Sequence, residues 1–409
     1  MKSMGPIPKG FAADDAGRLC IGGTDVETLV TRAGDTPLFV YDFALIKARI
    51  ARFRAAFPST LALHYAIKAN PMPALVAAMA PLVDGLDIAS AGEMAVALKA
   101  GGQHISFAGP GKRDRELEAA IIAGVTINLE SEGEAARALA IGERIGKTPK
   151  LAVRVNPDFD LRGSGMRMGG GAKPFGVDAD RAAALVKMLI DAGADWRGFQ
   201  IFAGSQALDG EAIVTMQGQT LDLAARLADA IGAMPPLVNL GGGFGIPYFP
   251  KDMPVDLERV GAALAERLAA LPASLSATRF AIELGRYLVG EAGVYLTRIV
   301  DRKTSHGEVF LVTDGGLHHQ LAASGNFGTV VKRNYPVAIA SRFGAEPQEV
   351  ATIVGCLCTP LDRLADMVSL PEAKVGDLVA VFMAGAYGRS ASPEAFLGHP
   401  PPSELLVNA

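Results

Sequence analysis

The regular alternation of short apolar runs with alanine-rich amphipathic stretches constrains the fold of this chain more than any other feature. Parallel strands are joined by helices, so this alternation is typical of an α/β fold with a parallel sheet. The apolar runs lie at residues 61–66, 83–88, 105–108, 126–129, 151–155, 199–202, 237–240 and 280–283. Eight strands with intervening helices over about 250 residues predict a (β/α)8 TIM barrel. A doubly wound sheet, which usually has fewer strands, is the alternative.

Beyond residue 284 the pattern changes to strand-like runs with few helices between them. These runs lie at residues 295–300, 309–312, 352–354 and 378–382. Such a succession predicts a β-rich domain, either a β-barrel or a sandwich. We therefore expect a barrel domain at residues 37–284, and a β-rich domain formed by residues 1–36 together with 285–409.

Composition and charge exclude several classes of function. The chain of 409 residues has a formal net charge of −4, which argues against binding to nucleic acid or to an anionic membrane. No apolar run has membrane-spanning length and the first residues lack the core of a signal peptide, so we expect a cytoplasmic protein. Three cysteines are too few for a disulfide framework, and the six histidines show no metal-ligand spacing. We therefore expect no metal site.

Polar residues of this chain follow the rule that a barrel enzyme places its chemistry at the carboxyl ends of its strands. Lys68 follows the first run, Asp87 closes the second and Arg154 lies on the fifth. Ser205 follows the sixth run and Glu283 ends the eighth. Because these strand ends meet at one face of a barrel, we expect the side chains to surround one ligand.

Lys68 stands where an apolar strand passes into a turn. A lysine that points from a strand end into a pocket loses hydration, which favours the neutral amine. The neutral amine forms a Schiff base with a carbonyl, so pyridoxal phosphate is the cofactor that this residue indicates. The alternative is a solvated lysine at the mouth of a loop, and Lys68 taken by itself favours that alternative.

The glycine-rich turn after the seventh run has bare backbone N–H groups that suit a phosphate. It contains Gly241, Gly242, Gly243 and Gly245. Barrels commonly hold phosphate with the loops after strands seven and eight, and Gly285 and Arg286 occupy the second of these places. The turn does not match G-x-G-x-x-G, so a dinucleotide site is not expected, and a tight turn without a ligand is the alternative.

Glu283 is a candidate partner for the pyridine nitrogen of the cofactor. A carboxylate at that place keeps the nitrogen protonated, which makes the ring a strong electron sink and favours decarboxylation. The alternative is a salt bridge to Arg286, three residues further along the chain.

The β-rich domain supplies further candidates around Cys358 and Tyr387. A thiol in a polar turn donates a proton or, as thiolate, accepts one, although cysteine is more often a small buried hydrophobic residue. Tyr387 lies between small residues, which suits a hydroxyl that reaches a ligand, and a packed tyrosine is the alternative. Asp362 is either a partner for a substrate amino group or a turn residue. We assign Cys358, Thr359, Asp362 and Tyr387 to the substrate.

In combination, these motifs closely resemble the fold-type III pyridoxal-phosphate decarboxylases, the group that contains the diaminopimelate, ornithine and arginine decarboxylases. The resemblance covers nearly the whole chain. The segments that carry it are Tyr65-Ala66-Ile67-Lys68-Ala69-Asn70, Asp87-Ile88-Ala89-Ser90, Gly204-Ser205-Gln206, Gly241-Gly242-Gly243-Phe244-Gly245, Glu283-Leu284-Gly285-Arg286, Cys358 to Asp362 and Gly385-Ala386-Tyr387.

The resemblance implies a role for each motif. Lys68 would form the Schiff base with pyridoxal phosphate, and Glu283 would bind the ring nitrogen. Cys358 would reach the site of the partner subunit in a head-to-tail homodimer and protonate the carbon that CO2 leaves. The phosphate would be held by Ser205, Gly241, Gly242, Gly243, Gly245, Gly285, Arg286 and Tyr387.

Two departures from the family motifs concern the cofactor face and the substrate. Phe202 stands where the family usually has a histidine stacked on the cofactor, and a phenyl ring stacks but cannot shuttle a proton. Diaminopimelate decarboxylases carry Cys-Glu-Ser-Gly and Arg-Pro-x-x-Tyr, which read the distal end of the substrate. This chain has Cys358-Thr359-Pro360-Leu361 at the first place, and residues 314–320 read Asp-Gly-Gly-Leu-His-His-Gln at the second. These segments look more like a subgroup that acts on carrier-protein-linked amino acids or accompanies exosortase gene sets.

The expected function is decarboxylation of an amino acid, free or linked to an acyl carrier protein, with release of CO2 and an amine. Three alternatives stay open at the level of sequence. An amino-acid racemase shares the barrel and the lysine, but one of the alanine type would place an arginine, not Glu283, at the ring nitrogen. A non-catalytic cofactor-carrying barrel would lack the domain that bears Cys358, and a phosphosugar-binding barrel would have no cofactor.

Overall fold

The computed structural model describes residues 1–160, 166–167, 169–326 and 333–409, with the backbone alone at 166–167. The chain divides into two compact units. The barrel unit contains residues 50–245 and 254–285, and the β-rich unit contains residues 1–49, 246–253 and 286–409. The domain limits expected from the sequence, 37–284 against 1–36 and 285–409, stay a prediction.

The barrel unit is built on a closed ring of parallel strands. In the described residues these are β1 (Leu61–Ala66), β2 (Gly85–Ile88), β3 (Ile105–Phe107), β4 (Thr126–Leu129), β5 (Lys150–Asn156), β6 (Asp195–Ile201), β7 (Leu237–Gly242) and β8 (Arg279–Leu284). Each strand pairs in parallel with the next, and β8 pairs with β1, so the sheet closes on itself. This closure confirms the predicted TIM barrel and contradicts the doubly wound alternative, whose sheet would have two open edges.

Helices connect the strands, and serine caps start two of them directly after β2 and β4. The hydroxyls of Ser90 and Ser131 each accept a 3.1 Å hydrogen bond from the backbone N–H of the glutamate three residues later. Such a cap contributes about 1 kcal/mol to helix stability. The helices lie at Phe43–Ala56, Pro73–Met79, Ala91–Lys99, Asp114–Ala123, Glu132–Ile145, Ala179–Asp191, Gly210–Ile231 and Leu257–Ala269, with 3-10 turns at Ile67–Ala69, Ala80–Leu82 and Ala273–Leu275 and short strands at Met166–Arg167, Val177–Asp178 and Gly204–Ser205.

A cavity of about 250 Å³ lies at the amino ends of the barrel strands. Thr60, Thr126, Arg197 and Arg279 belong to its lining, and they stand at or near the starts of their strands. Barrel enzymes place their chemistry at the opposite, carboxyl ends. We therefore assign no function to this cavity.

The β-rich unit is centred on the long strand Gly293–Ser305. This strand pairs antiparallel with Leu38–Asp42, with Leu378–Val381 and with Glu308–Thr313. The last strand of the chain, Ser403–Val407, pairs in parallel with Leu38–Asp42. Segments from both ends of the chain therefore complete this sheet.

Further strands continue the sheet on both sides. Glu349–Val354 pairs in parallel with Glu308–Thr313 and antiparallel with Arg363–Leu370, and Val337–Ile339 pairs with Leu378–Val381. The predicted β-rich character of this part of the chain is confirmed. The unit also contains strands Ala12–Ala13, Leu19–Ile21 and Thr24–Asp25, helices Val26–Ala33 and Arg286–Val289, and 3-10 helices Gly290–Ala292, Leu321–Ser324, Ala340–Arg342, Arg389–Ala391 and Phe396–Gly398. Across the described ranges, no helix has both the length and the apolar character that crossing a bilayer requires.

Candidate active site

Lys68 lies at the carboxyl end of β1, in the 3-10 turn Ile67–Ala69. Tyr65 on β1 fixes this turn, because its hydroxyl donates a 2.8 Å hydrogen bond to the carbonyl of Asn70. The Lys68 amine lies 5.7 Å from the centre of the Phe202 ring. Lys68 is exposed, so the desolvation expected from the sequence is not provided by this chain alone.

The turn that bears Lys68 packs closely against the end of β8. A Cβ atom on Gly285 would lie 2.8 Å from the Cβ atom of Ala69 and 3.2 Å from the carbonyl oxygen of Ala66. A side chain at position 285 would therefore push the lysine turn away from β8. Gly285 thus sets the close approach of Lys68 to the strand that carries Glu283.

Glu283 is buried near the end of β8, where two amides hold its carboxylate. Its Oε2 atom accepts hydrogen bonds from Gln200 Nε2 at 2.7 Å and from Asn239 Nδ2 at 3.0 Å. Burial raises the pKa of Glu283, the charge of Asp87 raises it further, and the charge of Lys68 opposes both. A carboxyl group whose pKa is raised shares a proton with a pyridine nitrogen more evenly than an ordinary glutamate does.

Asp87 on β2 is buried beside His64 of β1. Asp87 accepts a hydrogen bond from the hydroxyl of Ser106, and its other oxygen lies 3.6 Å from His64 Nδ1. Neither that oxygen nor His64 Nδ1 has a hydrogen-bond partner among the described residues. Burial lowers the pKa of His64 and the Asp87 carboxylate raises it, and the net shift is upward. Buried polar atoms of this kind normally form hydrogen bonds with a ligand or with water.

Arg154 on β5 is buried and makes an ion pair. Its Nη1 atom donates a 2.8 Å hydrogen bond to Glu130 Oε1, and its guanidinium lies 5.0 Å from the centre of the Phe175 ring. Glu130 also accepts from the backbone N–H groups of Gly109 at 2.6 Å and of Gly176 at 2.7 Å. Arg154 and Glu130 thus hold together the loops that follow β3 and β5, and the contact of Arg154 with the cofactor stays a prediction.

The glycine-rich turn begins within β7 and requires glycine for close approach. A Cβ atom on Gly242 would lie 1.8 Å from the carbonyl oxygen of Glu283, so the backbones of β7 and β8 leave no room for a side chain. The N–H of Gly241 donates to Asn239 Oδ1 at 2.9 Å, and the N–H of Gly245 donates to the carbonyl of Ala207 at 2.8 Å. A phosphate would therefore use the other donors of the turn, such as Gly243, or displace these two bonds.

The segment after β6 is tied to this turn. Ala207 donates its backbone N–H to the carbonyl of Gly243 at 2.9 Å, which brings half-buried Ser205 into the neighbourhood of the glycines. The Phe202 ring packs on Gly241, where an added Cβ atom would lie 3.0 Å from Phe202 Cδ2. Phe202 therefore contacts the glycine turn and also lies near the Lys68 amine.

Within the β-rich unit, Arg286 is framed by aromatic rings. Its Nη1 atom donates a 2.7 Å hydrogen bond to the hydroxyl of Tyr248, and its guanidinium lies 4.7 Å from the centre of the Tyr387 ring. The Nε atom of Arg286 is buried without a hydrogen-bond partner in the described part of the chain. The Nε–H group of this guanidinium is therefore available to donate a hydrogen bond to an anion.

Cys358 and Thr359 lie in the loop after residue 354, with Cys358 exposed and Thr359 half-buried. Asp362 closes this loop. It is buried, and its carboxylate accepts from the backbone N–H of Leu357 at 2.9 Å and of Leu317 at 2.7 Å. These contacts favour the alternative in which Asp362 orders the turn, and its contact with a substrate amino group stays a prediction.

Two candidates do not stand out in the sequence, namely Gln200 on β6 and Asn239 on β7. Each lies inside an apolar run, and a polar residue within a buried strand has to find a partner. That signal indicates a buried hydrogen bond, but it does not identify the partner. Glu283 lies 83 residues from Gln200 and 44 residues from Asn239, and the side-by-side pairing of β6, β7 and β8 brings the three together.

The described residues of the barrel unit fit pyridoxal phosphate. Lys68 supplies an amine at a strand end, and Glu283 supplies a buried carboxyl group whose pKa is raised. In these residues Asp87 Oδ2, His64 Nδ1 and Gln200 Oε1 are buried without hydrogen-bond partners, so hydrogen bonds remain for a polar ligand. Together they offer an amine for the aldehyde of the cofactor and a carboxyl group for its ring nitrogen.

Comparison with known proteins agrees with this chemistry. The sequence profile of the family "Pyridoxal-dependent decarboxylase, pyridoxal binding domain" matches residues 43–290. An L-glutamyl-[BtrI acyl-carrier protein] decarboxylase of Niallia circulans is 36% identical over 387 residues, which cover 93% of this chain and 90% of that protein. A diaminopimelate decarboxylase of Methanothermobacter thermautotrophicus is 32% identical and covers 96% of this chain and 91% of that protein.

A solved structure agrees as well. Diaminopimelate decarboxylase from M. jannaschii, in complex with L-lysine, superimposes with a TM-score of 0.88 at 25% identity, over 98% of this chain and 93% of that chain. Nothing in these comparisons favours the racemase alternative. The chain therefore belongs to the fold-type III pyridoxal-phosphate-dependent decarboxylases, which remove CO2 from amino acids.

Proposed function

We propose that this enzyme decarboxylates an α-amino acid whose side chain is linked to an acyl carrier protein. The observation that carries the proposal is that this chain lacks the two charged residues with which diaminopimelate enzymes read the distal end of their substrate. Thr359 takes the place of the glutamate of Cys-Glu-Ser-Gly, and residues 314–320, which include the buried His318, His319 and Gln320, contain no arginine. A free distal ammonium and carboxylate would therefore enter this region without the partners that they have in those enzymes, which is costly.

The chemistry of decarboxylation fixes where a carrier can be attached. The α-carboxylate leaves as CO2, so it cannot also be the point of linkage. The carrier must be joined through a side-chain carboxyl group, as a thioester, and this linkage removes the side-chain charge. A neutral thioester suits Thr359, and the similar enzyme of Niallia circulans is named for a glutamyl group on a carrier protein.

The proposed roles in the barrel unit follow from the contacts described above. Bound pyridoxal phosphate supplies a sink for the electron pair left at Cα when CO2 departs. Lys68 holds the cofactor covalently, Glu283 holds a proton at the ring nitrogen, and Phe202 stacks without donating a hydrogen bond. Gln200 and Asn239 orient Glu283. The further proposed cofactor contacts are Asp87, Arg154, Ser205, Gly241, Gly242, Gly243, Gly245 and Gly285 of the barrel unit, and Arg286 and Tyr387 of the β-rich unit.

We further propose a homodimer in which Cys358 of one subunit delivers a proton to Cα in the site of the other. Cys358 and Lys68 are both exposed in the single chain. Desolvation favours the neutral amine form of a lysine, and a second copy of the chain that covers Lys68 would supply this desolvation. A twofold dimer repeats every contact, so it would create two such shared sites. Thr359, Asp362 and Tyr387 are proposed to contact the substrate, and Asp362 also orders the turn that bears Cys358.

A cytoplasmic location completes the proposal. All three cysteines lie in the described residues and none forms a disulfide, as is usual in a reducing compartment. Fractionation of producing cells checks this location, and recovery of the enzyme outside the cytoplasm would contradict it.

The substrate proposal is tested with free and carrier-linked forms of one amino acid. We expect kcat/KM for glutamate joined through its γ-carboxyl group to an acyl carrier protein to exceed that for free glutamate and free diaminopimelate by about a hundredfold or more. The measurement is CO2 release. Glutamyl pantetheine without the protein separates recognition of the thioester arm from recognition of the carrier surface. Equal turnover of free diaminopimelate would overturn the carrier assignment and leave the decarboxylase identity intact.

The shared site is tested by mixing two inactive variants. Lys68→Ala and Cys358→Ala subunits each lack one group, but a mixed dimer rebuilds one site with both groups intact. We expect activity to return to at most about half of the wild-type value per mixed dimer. Subunit exchange is verified with differently tagged chains, and mixing each variant with itself is the control. No recovery after proven exchange would mean that Cys358 does not serve a partner's site.

A further inference from the structure

Three potential metal ligands meet in the β-rich unit although they lie far apart in the sequence. One nitrogen of His318, the Sγ atom of Cys356 and one nitrogen of His399 all lie within 4.8 Å of one another. Cys356 Sγ lies 3.8 Å from both ring nitrogens of His399. His318 is fully buried, and Cys356 and His399 are half-buried.

The backbone holds this cluster in place without using its ligand atoms. Strands Glu308–Thr313 and Glu349–Val354 pair in parallel, so the segments that follow them begin at the same edge of the sheet. Asp362 binds the N–H groups of Leu317 and Leu357, which are the immediate neighbours of His318 and Cys356. The cluster is therefore preorganised rather than assembled from flexible side chains.

Two adjacent histidines of the same segment differ in a way that points to a ligand. Both ring nitrogens of His319 are used, one 3.0 Å from the Tyr295 hydroxyl and the other 3.0 Å from the Pro400 carbonyl. This second contact also anchors the residue next to His399. Both ring nitrogens of His318 are buried and have no hydrogen-bond partner among the described residues. A buried imidazole without hydrogen-bond partners costs free energy unless a ligand or a water molecule binds to it.

The three side chains offer ligand atoms that suit a soft or borderline cation. One thiolate sulfur and two imidazole nitrogens are ligands of zinc and of copper, whereas magnesium and calcium prefer oxygen.

We propose that His318, Cys356 and His399 bind one zinc ion, or a divalent cation of similar softness, with a fourth position left for water. Zn–N and Zn–S bonds of about 2.0–2.3 Å place tetrahedral ligands roughly 3.3–3.8 Å apart, so small side-chain movements bring the three atoms into range. Cys356 binds as the thiolate, and the proton of its S–H bond passes to solvent as the Zn–S bond forms.

Such an ion would join three segments of the β-rich unit at one point. It would fix the loop that carries Cys358, two residues beyond Cys356, to the turn around His318 and to the segment that bears His399. This inference goes beyond the proposed decarboxylation and does not depend on it. Zinc content is measured without turnover, so failure of the zinc site and failure of the substrate proposal are distinguishable.

The test measures zinc in the full-length holoenzyme after chelator treatment, incubation with micromolar Zn²⁺ and removal of unbound metal. We expect about one zinc per chain in the wild type by elemental analysis, and less than about a tenth of that in Cys356→Ser. Zinc should also raise the Tm of the wild type and leave that of Cys356→Ser unchanged. His399→Ala, in a half-buried segment near the chain end, provides a second variant if Cys356→Ser fails to fold.

Matched controls separate this site from adventitious zinc. Cys20→Ser removes a half-buried thiol elsewhere in the β-rich unit, and Cys358→Ser removes the exposed thiol two residues from Cys356. Both variants should keep about one zinc per chain, because neither thiol belongs to the cluster. The proposal is overturned if the wild type holds no zinc, or if both Cys356→Ser and His399→Ala keep about one zinc per chain.

Discussion

Lys68→Ala is expected to remove the visible absorbance band of the bound cofactor and to lower turnover by about a thousandfold or more, because the group that holds the cofactor covalently is lost. The fold should survive. Lys68 is exposed in a turn, and an exposed side chain outside a network usually changes stability by no more than about 0.5 kcal/mol. The measurements are the absorbance spectrum, the rate of CO2 release and the Tm.

Borohydride trapping identifies the lysine directly. Reduction of the wild type should leave the cofactor on the peptide that contains residue 68, as mass spectrometry of a digest reports. Lys99→Ala, which removes an exposed lysine at the end of helix Ala91–Lys99, is the matched control and should keep both adduct and activity. A reducible adduct that persists in Lys68→Ala would refute the assignment.

Glu283→Gln should keep the cofactor bound and slow decarboxylation roughly ten- to a hundredfold. The amide cannot hold a proton at the ring nitrogen as a carboxyl group does, and loss of one charged hydrogen bond is worth about 1.5–3 kcal/mol. The side chain has nearly the same shape, so Gln200 and Asn239 still surround it and the fold should be preserved. Single-turnover CO2 release at full cofactor occupancy is the measurement.

The control for this substitution removes a carboxylate of the same type from the surface. Glu266 lies on the exposed side of helix Leu257–Ala269, and the variant Glu266→Gln should have wild-type kinetics. If Glu283→Gln were as fast as the wild type, Glu283 would be a structural carboxylate held by two amides, with no part in the reaction.

The barrel was predictable because its signal is local and repeated. The strands of the ring alternate with helices, and a polar residue such as Lys68 or Glu283 marks the carboxyl end where chemistry is expected. The sequence shows glycine at positions 242 and 285, but it does not show why glycine is needed there. The reason is the close approach of β7 to β8 and of β8 to the turn that bears Lys68, which follows from the closed sheet.

Contacts between distant segments could not be predicted in the same way. The amides of Gln200 and Asn239 reach Glu283 because strand order and register bring three strands side by side. Likewise, His318 and Cys356 meet because two strands pair in parallel, and no spacing in the sequence indicates it. The exposure of Lys68 in the single chain was not predictable either, since burial depends on everything that covers a residue and not only on its neighbours in the sequence.

The sheet of the β-rich unit also has a consequence for how the protein folds during its synthesis on the ribosome. Leu38–Asp42 is entirely buried in the finished sheet, yet its partners Gly293–Ser305 and Ser403–Val407 are synthesised only after the whole barrel unit. Domains generally fold as units while the chain is being made, so the barrel unit can close first. During that interval an early apolar strand stays without partners, and an unpaired strand is a template for association with other chains. Residues 403–407, made after the barrel unit, therefore complete the protection of a strand that is made before it.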